Sequence, residues 1–99
     1  MHRIYHDFNK LLPGKDEKSR SAPLVCRGTK NDLDALGLTL ADGMEVLLYQ
    51  PDGEAPDGNS DSLEVRATIR YSPQEACFVA DFIWDDLMYH SEAEALGRH

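Results

Sequence analysis

Residues 63–71 carry the clearest pattern in the chain, a strict alternation of apolar and polar side chains. The apolar positions are Leu63, Val65, Ala67, Ile69 and Tyr71, and the polar positions are Glu64, Arg66, Thr68 and Arg70. A period of two residues predicts a strand with one buried and one open face. Segments 44–50 and 76–84 are also rich in apolar and aromatic residues. We therefore predict three adjacent strands at the centre of the fold.

Residues 72–75, Ser-Pro-Gln-Glu, predict a tight turn between the second and third of these strands. The proline presets φ for the first central position of a type I turn. A four-residue loop pairs Tyr71 with Ala76, and each inward residue of one strand then meets an apolar partner on the other. The same register predicts that Arg66 lies opposite Asp81 on the outer face, as an opposite-charge pair.

The N-terminal part of the chain contains weaker signals. Residues 3–9 hold β-forming side chains and predict a first strand, and residues 22–28 predict a short strand after a proline. Residues 11–23 combine two prolines, a glycine and many charged side chains, which predicts a mobile loop. Residues 31–36 predict a short helical turn that ends at Gly37.

The C-terminal part predicts one helix and one long loop. Two aspartates open segment 85–97, where a helix N-terminus favours acids, and Gly97 suits its end, so we predict a C-terminal helix there. Between the first two central strands, Gln50 is expected to pair near Leu63. Residues 51–62 then form one long hairpin loop that contains two Pro-Asp-Gly turns in series.

These elements predict a single domain over residues 1–99, since a chain of this length fits one hydrophobic core. The predicted class is mainly β (α+β): a small antiparallel, curled sheet or SH3-like barrel of about five strands, with a short helical turn and a C-terminal helix. Residues 38–48 follow the spacing L-x-L-x-x-G-M-x-V-x-L, which resembles the start of a strand in many SH3-like small barrels. The resemblance implies architecture only and identifies no family.

The predicted register leaves an apolar patch on the outer face of the sheet. It contains Leu47, Tyr49, Val79 and Ile83, with Trp84 at its rim. An open sheet face normally carries fewer apolar residues, so a cover is expected. We expect the N-terminal strands to close a barrel over it with the C-terminal helix as partial cover, and a homodimer is the alternative.

The net charge of −8 is unevenly distributed along the chain. Residues 1–30 hold seven Lys or Arg against three acids, whereas the remaining residues hold three Arg against fifteen acids. An acidic body argues against nucleic-acid binding. No apolar run is long enough to span a membrane, and the first residues lack the apolar region of a secretory signal. We expect a cytoplasmic protein in which Cys26 and Cys77 are reduced thiols.

The segment 52–61 is dense in side-chain oxygen atoms of the kind that bind calcium. These oxygens belong to Asp52, Glu54, Asp57, Asn59 and Asp61. An EF-hand loop that begins at Asp57 would need a glycine where Ser62 stands and a glutamate where Thr68 stands, and it would need helices on both sides. We therefore interpret the acids mainly as turn residues and keep a weak calcium-binding module as an alternative.

Other candidate chemistry has less support. His2 and His6 share one face of a predicted strand, but they lie roughly 13 Å apart, too far for one zinc ion. Asp81, Asp85 and Asp86 form a carboxylate cluster in sequence, yet Asp81 is expected to pair with an arginine, and the other two suit a helix start. We therefore predict no catalytic residue, no metal ligand and no cofactor.

The sequence favours a small acidic non-enzymatic binding or regulatory domain that docks to a protein partner. Electrostatic steering by its acidic residues would favour a partner with a basic surface. The predicted contact residues are Leu47, Tyr49, Val79, Ile83 and Trp84. The alternative enzyme is a small hydrolase or isomerase that uses carboxylates near Asp81, Asp85 or Asp86, or His90.

Overall fold

The computed structural model describes residues 1–97 and places seven strands in one mixed sheet, with two helices beside it. The strands are β1 (His2–Tyr5), β2 (Leu12–Pro13), β3 (Ser19–Pro23), β4 (Glu45–Glu54), β5 (Ser60–Ser72), β6 (Cys77–Ile83) and β7 (Met88–Tyr89). The helices are α1 (Arg27–Leu36) and α2 (His90–Ala95), and a 3₁₀ turn spans Trp84–Asp86. Neither helix in this part of the chain has the length and apolar character needed to cross a membrane.

The sheet is open rather than closed. Its strands lie in the order β1-β4-β5-β6-β3-β2, and β7 pairs with β5 beyond the end of β6. The mainly β prediction is confirmed, but the predicted barrel closure is wrong, and the sheet is not purely antiparallel because β1 runs parallel to β4. One edge is β2, which has two residues and includes Pro13, a residue without an N–H to donate.

The β5–β6 hairpin has the predicted loop length but a different register. Ser72 pairs with Cys77 and Tyr71 pairs with Phe78, so the register differs by two residues from the predicted one. The reason is Ala76, whose φ of 53° places it in the turn rather than in the strand. A shift of two residues keeps every side chain on its predicted face, but it changes the partner of each residue.

The β4–β5 hairpin is longer than predicted. Gln50 pairs with Leu63 as expected, but pairing continues to Glu54 and Ser60 across an irregularity after Pro51. Residues 51–62 are therefore mostly strand, and only a tight turn remains at the tip. The carboxylate of Asp57 closes this turn by accepting the Asn59 N–H at 3.0 Å.

The N-terminal segments are more ordered than predicted. Residues 12–13 and 19–23 form strands, so the predicted loop over 11–23 is reduced to the connection between them. The predicted helical turn before Gly37 is confirmed, and α1 begins earlier than expected, at Arg27. Gly37 has a φ of 61°, and the N–H of Leu38 donates to the Leu33 carbonyl at 3.0 Å, which ends the helix.

The predicted C-terminal helix over 85–97 is replaced by three short elements, which are the 3₁₀ turn, β7 and α2. The Trp84 N–H donates to the Lys18 carbonyl at 2.6 Å, so the turn is tied to the segment before β3. Pairing of Met88 with Glu64 then holds the chain in an extended form before α2. Long-range bonds therefore overrule the weak helical pattern of this segment.

The hydrophobic core lies on the inner face of the sheet. It contains Ile4, Phe8, Ala22, Leu24, Val46, Leu48, Val65, Ala67, Ile69, Ala80 and Phe82. Loops rather than strands cover this face, since Leu11, Leu38 and Leu40 pack against the core. The alternation in residues 63–71 is thus confirmed in its buried centre, whereas Tyr71, at its end, is exposed.

Candidate functional site

The outer face of the sheet, opposite the core, is mostly polar. The register puts Ser21, Asp81 and Thr68 in one row across β3, β6 and β5. On β5, Arg66 and Arg70 lie two residues before and two residues after Thr68. Alternate residues of a strand share a face, so both arginines lie on the same face as Thr68. Short side chains in the central row, between longer ones along β5, leave a depression in this face.

This depression is a groove of about 770 Å³, hereafter the outer groove. Ser21, Thr68 and Asp81 lie at its floor, Lys15 lines one wall, and Asp86 from the 3₁₀ turn also lines it. Gly14, in the β2–β3 connection, is required by close packing, since a Cβ atom there would lie 2.4 Å from the Cβ atom of Ser19. The wall of the groove is therefore held tightly against β3.

The charges in the outer groove are partly paired. Arg70 donates to both carboxylate oxygens of Asp81, at 2.7 and 3.1 Å, and the Ser21 hydroxyl donates to the same carboxylate at 2.5 Å. Burial alone would raise the pKa of Asp81, but these hydrogen bonds outweigh it and hold that pKa below its usual value. Within residues 1–97, Arg66 makes no hydrogen bond or ion pair. The sequence prediction that Arg66 pairs with Asp81 is therefore wrong, because the register differs.

Two large apolar side chains are exposed at the end of β6, and one of them, Ile83, lines the outer groove. Ile83 is 40% exposed and the adjacent Trp84 is 43% exposed. The guanidinium carbon of Arg20 lies 5.4 Å from the centre of the Trp84 ring, a cation–π contact that helps to fix the ring. Two of the five predicted contact residues are thus exposed, and the Trp84 ring lies beside Arg20, on the Phe82 side of β3, rather than in the groove.

The other predicted contact residues lie elsewhere. Val79 is buried, and Leu47 and Tyr49 are half-buried on the outer face. The Tyr49 hydroxyl donates to Asp32 at 3.1 Å, and the Arg3 guanidinium lies 4.2 Å from its ring centre. The predicted patch is therefore divided, and α2 and β7 take part in covering its Leu47 end.

A charge network lies on the outer face beneath α2. Glu64 is only 2% exposed and accepts two hydrogen bonds from Arg3, at 3.1 and 2.9 Å. His90 Nδ1 lies 2.7 Å from the second Glu64 oxygen, and His90 Nε2 lies 2.9 Å from Glu94. The hydrogen bond to Glu64 is the main reason that the pKa of His90 is raised. Sequence reasoning missed this network, because Glu64 occupied a position expected to face solvent, although the i,i+4 spacing of His90 and Glu94 was a usable signal.

The candidate calcium segment uses its oxygens internally. Asp61 accepts from the Ser91 hydroxyl at 2.7 Å, and Asp52 accepts from the Tyr89 hydroxyl at 2.8 Å. Across the described part of the chain, no group of three or more His, Cys, Asp or Glu side chains is placed to hold a metal ion. His6 is buried with its Nε2 atom 3.1 Å from the Lys10 carbonyl.

The three candidate catalytic aspartates have different environments. Asp81 is held by Arg70 and Ser21 as described, whereas Asp85 and Asp86 lie exposed on the 3₁₀ turn. A carboxylate with a lowered pKa is a weak proton donor or acceptor near neutral pH. Cys26 and Cys77 are half-buried free thiols, as predicted.

Comparison with protein-family models, with curated proteins and with solved structures gives no match to this chain.

Proposed function

We propose that this chain is a small acidic, non-enzymatic binding domain that docks to a protein partner through the end of β6, where Ile83 and Trp84 are exposed. The observation that carries the proposal is the pair of adjacent, exposed apolar side chains, Ile83 and Trp84. Tryptophan is among the residues most enriched at the energetic centres of protein interfaces, and arginine is another. Both types occur here, because Arg20 stacks on the Trp84 ring.

The Trp84 side chain is held in place before any partner binds. Its main-chain N–H is bonded to the Lys18 carbonyl, and its ring is in contact with Arg20. A side chain that is already held in place loses less entropy on association than a mobile one, so more of its contact energy becomes affinity. The acidic remainder of the chain supports steering toward a partner with basic surface around the contact.

The proposal is tested by comparing two substitutions at exposed apolar positions. Trp84→Ala removes the proposed anchor, and Leu36→Ser changes a side chain on α1 that is 47% exposed and remote in sequence from the groove. Each variant is immobilised and used to capture proteins at low salt, with circular dichroism as a check on folding. We expect Trp84→Ala to weaken capture by roughly 30-fold, as for the loss of an energetic centre, and Leu36→Ser to leave it unchanged.

Equal capture by Trp84→Ala and the wild-type chain would contradict the proposal. Sedimentation equilibrium of the wild-type chain alone distinguishes a foreign partner from self-association. If the wild type forms a dimer and Trp84→Ala does not, the partner is a second copy of this chain.

A further inference from the structure

We propose that the outer groove binds an extended, acidic segment of the partner protein, with one carboxylate on Arg66 and a second on Arg70. This inference rests on the proposed docking function and assigns the part of the partner that enters the groove.

Local charge is the first reason. The chain has eighteen acids and only ten Lys or Arg, yet three of these cations line one groove, namely Lys15, Arg66 and Arg70. Within the described residues, Arg66 has neither a hydrogen bond nor an ion pair, although acids are abundant in the chain. An unpaired guanidinium in a concave surface favours a carboxylate ligand.

Arg70 can accept a ligand without giving up Asp81. A guanidinium group has five N–H donors, and Asp81 engages donors on Nε and Nη2 only. The Nη1 atom makes no hydrogen bond among residues 1–97. A second carboxylate can therefore bind to Arg70 while Asp81 keeps the guanidinium in position.

The spacing of the two arginines matches an extended chain. Arg66 and Arg70 are four residues apart on β5, with Thr68 between them on the same face. Four residues of strand span about 13 Å, and an extended peptide has the same rise per residue. A peptide lying along β5 thus places carboxylates that are four residues apart over the two arginines. The short Thr68 side chain leaves room for the peptide between them.

A peptide fits this groove better than a nucleic acid. Asp81 and Asp86 line the same groove as the arginines. A phosphate backbone carries a charge on every nucleotide and would bring phosphates against these aspartates, whereas a peptide can place a neutral residue there. The exposed Ile83 side chain, which lines the groove, also favours a ligand with an apolar side chain.

Peptide binding to the groove is measured by isothermal titration calorimetry. The probe is a synthetic nonapeptide with two glutamates four residues apart and a leucine between them. The control peptide has the same composition with its glutamates adjacent. We expect the first peptide to give a saturable heat of binding and the control peptide to bind at least about fivefold more weakly.

The protein variants are Arg66→Glu and Arg66→Gln, with Arg27→Glu as the matched charge reversal on α1. Arg66 is exposed and unpaired within the described residues, so we expect its variants to keep the thermal midpoint of the wild type. Arg66→Glu is expected to weaken peptide binding by about tenfold or more, and Arg27→Glu by less than about twofold. Equal weakening by both reversals, or no weakening by Arg66→Glu, would overturn the inference.

Two further outcomes are decisive. Oligo-dT that binds more tightly than the peptide, and depends on Arg66, would make the groove a polyanion site and overturn the peptide assignment. If partner capture depends on Trp84 but neither capture nor peptide binding depends on Arg66, this inference fails while the docking function stands. If the peptide binds through Arg66 but no captured protein depends on Trp84, the docking function fails instead.

Discussion

His6 is the most completely buried ionisable side chain of the N-terminal region, with no measurable exposure. Its Nε2 atom lies 3.1 Å from the Lys10 carbonyl, and its Nδ1 atom has no hydrogen-bond partner among the described residues. Burial disfavours the imidazolium form and lowers the pKa of His6, more than the Lys10 carbonyl raises it. The folded protein therefore holds His6 as a neutral imidazole that donates from Nε2.

The free energy of unfolding is consequently expected to depend on pH at this residue. Below the unfolded pKa of about 6.5, the unfolded chain binds a proton at His6 that the folded chain does not bind. The free energy of unfolding therefore falls as the pH drops. We expect the free energy of unfolding to fall between about pH 7 and pH 5 because of this group. Chemical denaturation of the wild type and His6→Gln across that range measures it. An equally steep loss in His6→Gln would contradict the assignment.

Gly14 allows the β2–β3 connection to lie against β3. A Cβ atom at this position would lie 2.5 Å from the Ser19 carbonyl carbon and 2.6 Å from its oxygen, which are main-chain atoms and cannot rotate away. We expect Gly14→Ala to destabilise the protein by about 2 kcal/mol, within the usual cost of overpacking. Lys15→Ala, at the exposed neighbouring position, is the control and should change the unfolding free energy by less than about 0.5 kcal/mol. Similar unfolding curves for the two variants would show that the wall is not tightly packed.

At the scale of elements, the edges of the sheet are both protected. On β1, the Tyr5 N–H donates to Asp32 of α1 at 2.8 Å, and the Thr29 hydroxyl donates to the Tyr5 carbonyl. Side chains of a helix thus occupy main-chain groups that another strand would otherwise use. The opposite edge, β2, is too short to serve as a template and carries Pro13. Both features oppose edge-to-edge association of strands. A partner protein is therefore expected to bind to side-chain surfaces rather than to a strand edge.

Helix α2 depends on its contacts with β5. A helix of six residues is not stable by itself. Its first turn is held by His90 against Glu64 and by Ser91 against Asp61, and Ala93 is buried. An imidazole donates from both nitrogens only when it is protonated, so the contacts of His90 with Glu64 and Glu94 require the charged form.

We therefore expect α2 to loosen as the pH rises. A raised folded pKa means that stabilisation by His90 is complete below the unfolded value near 6.5 and is lost as the pH passes through the higher folded pKa. Hydrogen exchange of residues 90–95, corrected for intrinsic rate, should accelerate over this range while β5 stays protected. His90→Gln should remove the pH dependence. A pH response that persists in His90→Gln would contradict the assignment to His90.

At the scale of the whole molecule, the sequence predicts the sheet face of a side chain better than it predicts which residue of the neighbouring strand lies opposite. The alternation in residues 63–71 predicted which side chains enter the core, because burial follows directly from a period of two. Register was harder, since the left-handed conformation of Ala76 has no sequence signal in a residue with a Cβ atom. That single turn residue changed the partner of Asp81 from Arg66 to Arg70.

The candidate site was therefore only partly predictable. Ile83 and Trp84 were identified from apolar character alone, and the structure leaves both exposed. The outer groove combines residues from β3, β5 and β6, and the absence of a partner for Arg66 within residues 1–97 emerges only from the true register. The parallel pairing of β1 with β4 also had no local signal, because it depends on which edge of β4 remains open after β5 has paired.

That parallel pairing has a consequence for synthesis of the chain. His2 lies beside Val46, so the first strand leaves the ribosome long before the strand that will hold it. Ile4 and His6 stay in water until the β4–β5 hairpin has formed, and the sheet then grows backward toward the N-terminus. Contacts so distant in sequence make folding slow relative to local hairpin closure. Residues 2–5 are thus made before β4 and are among the last to become native.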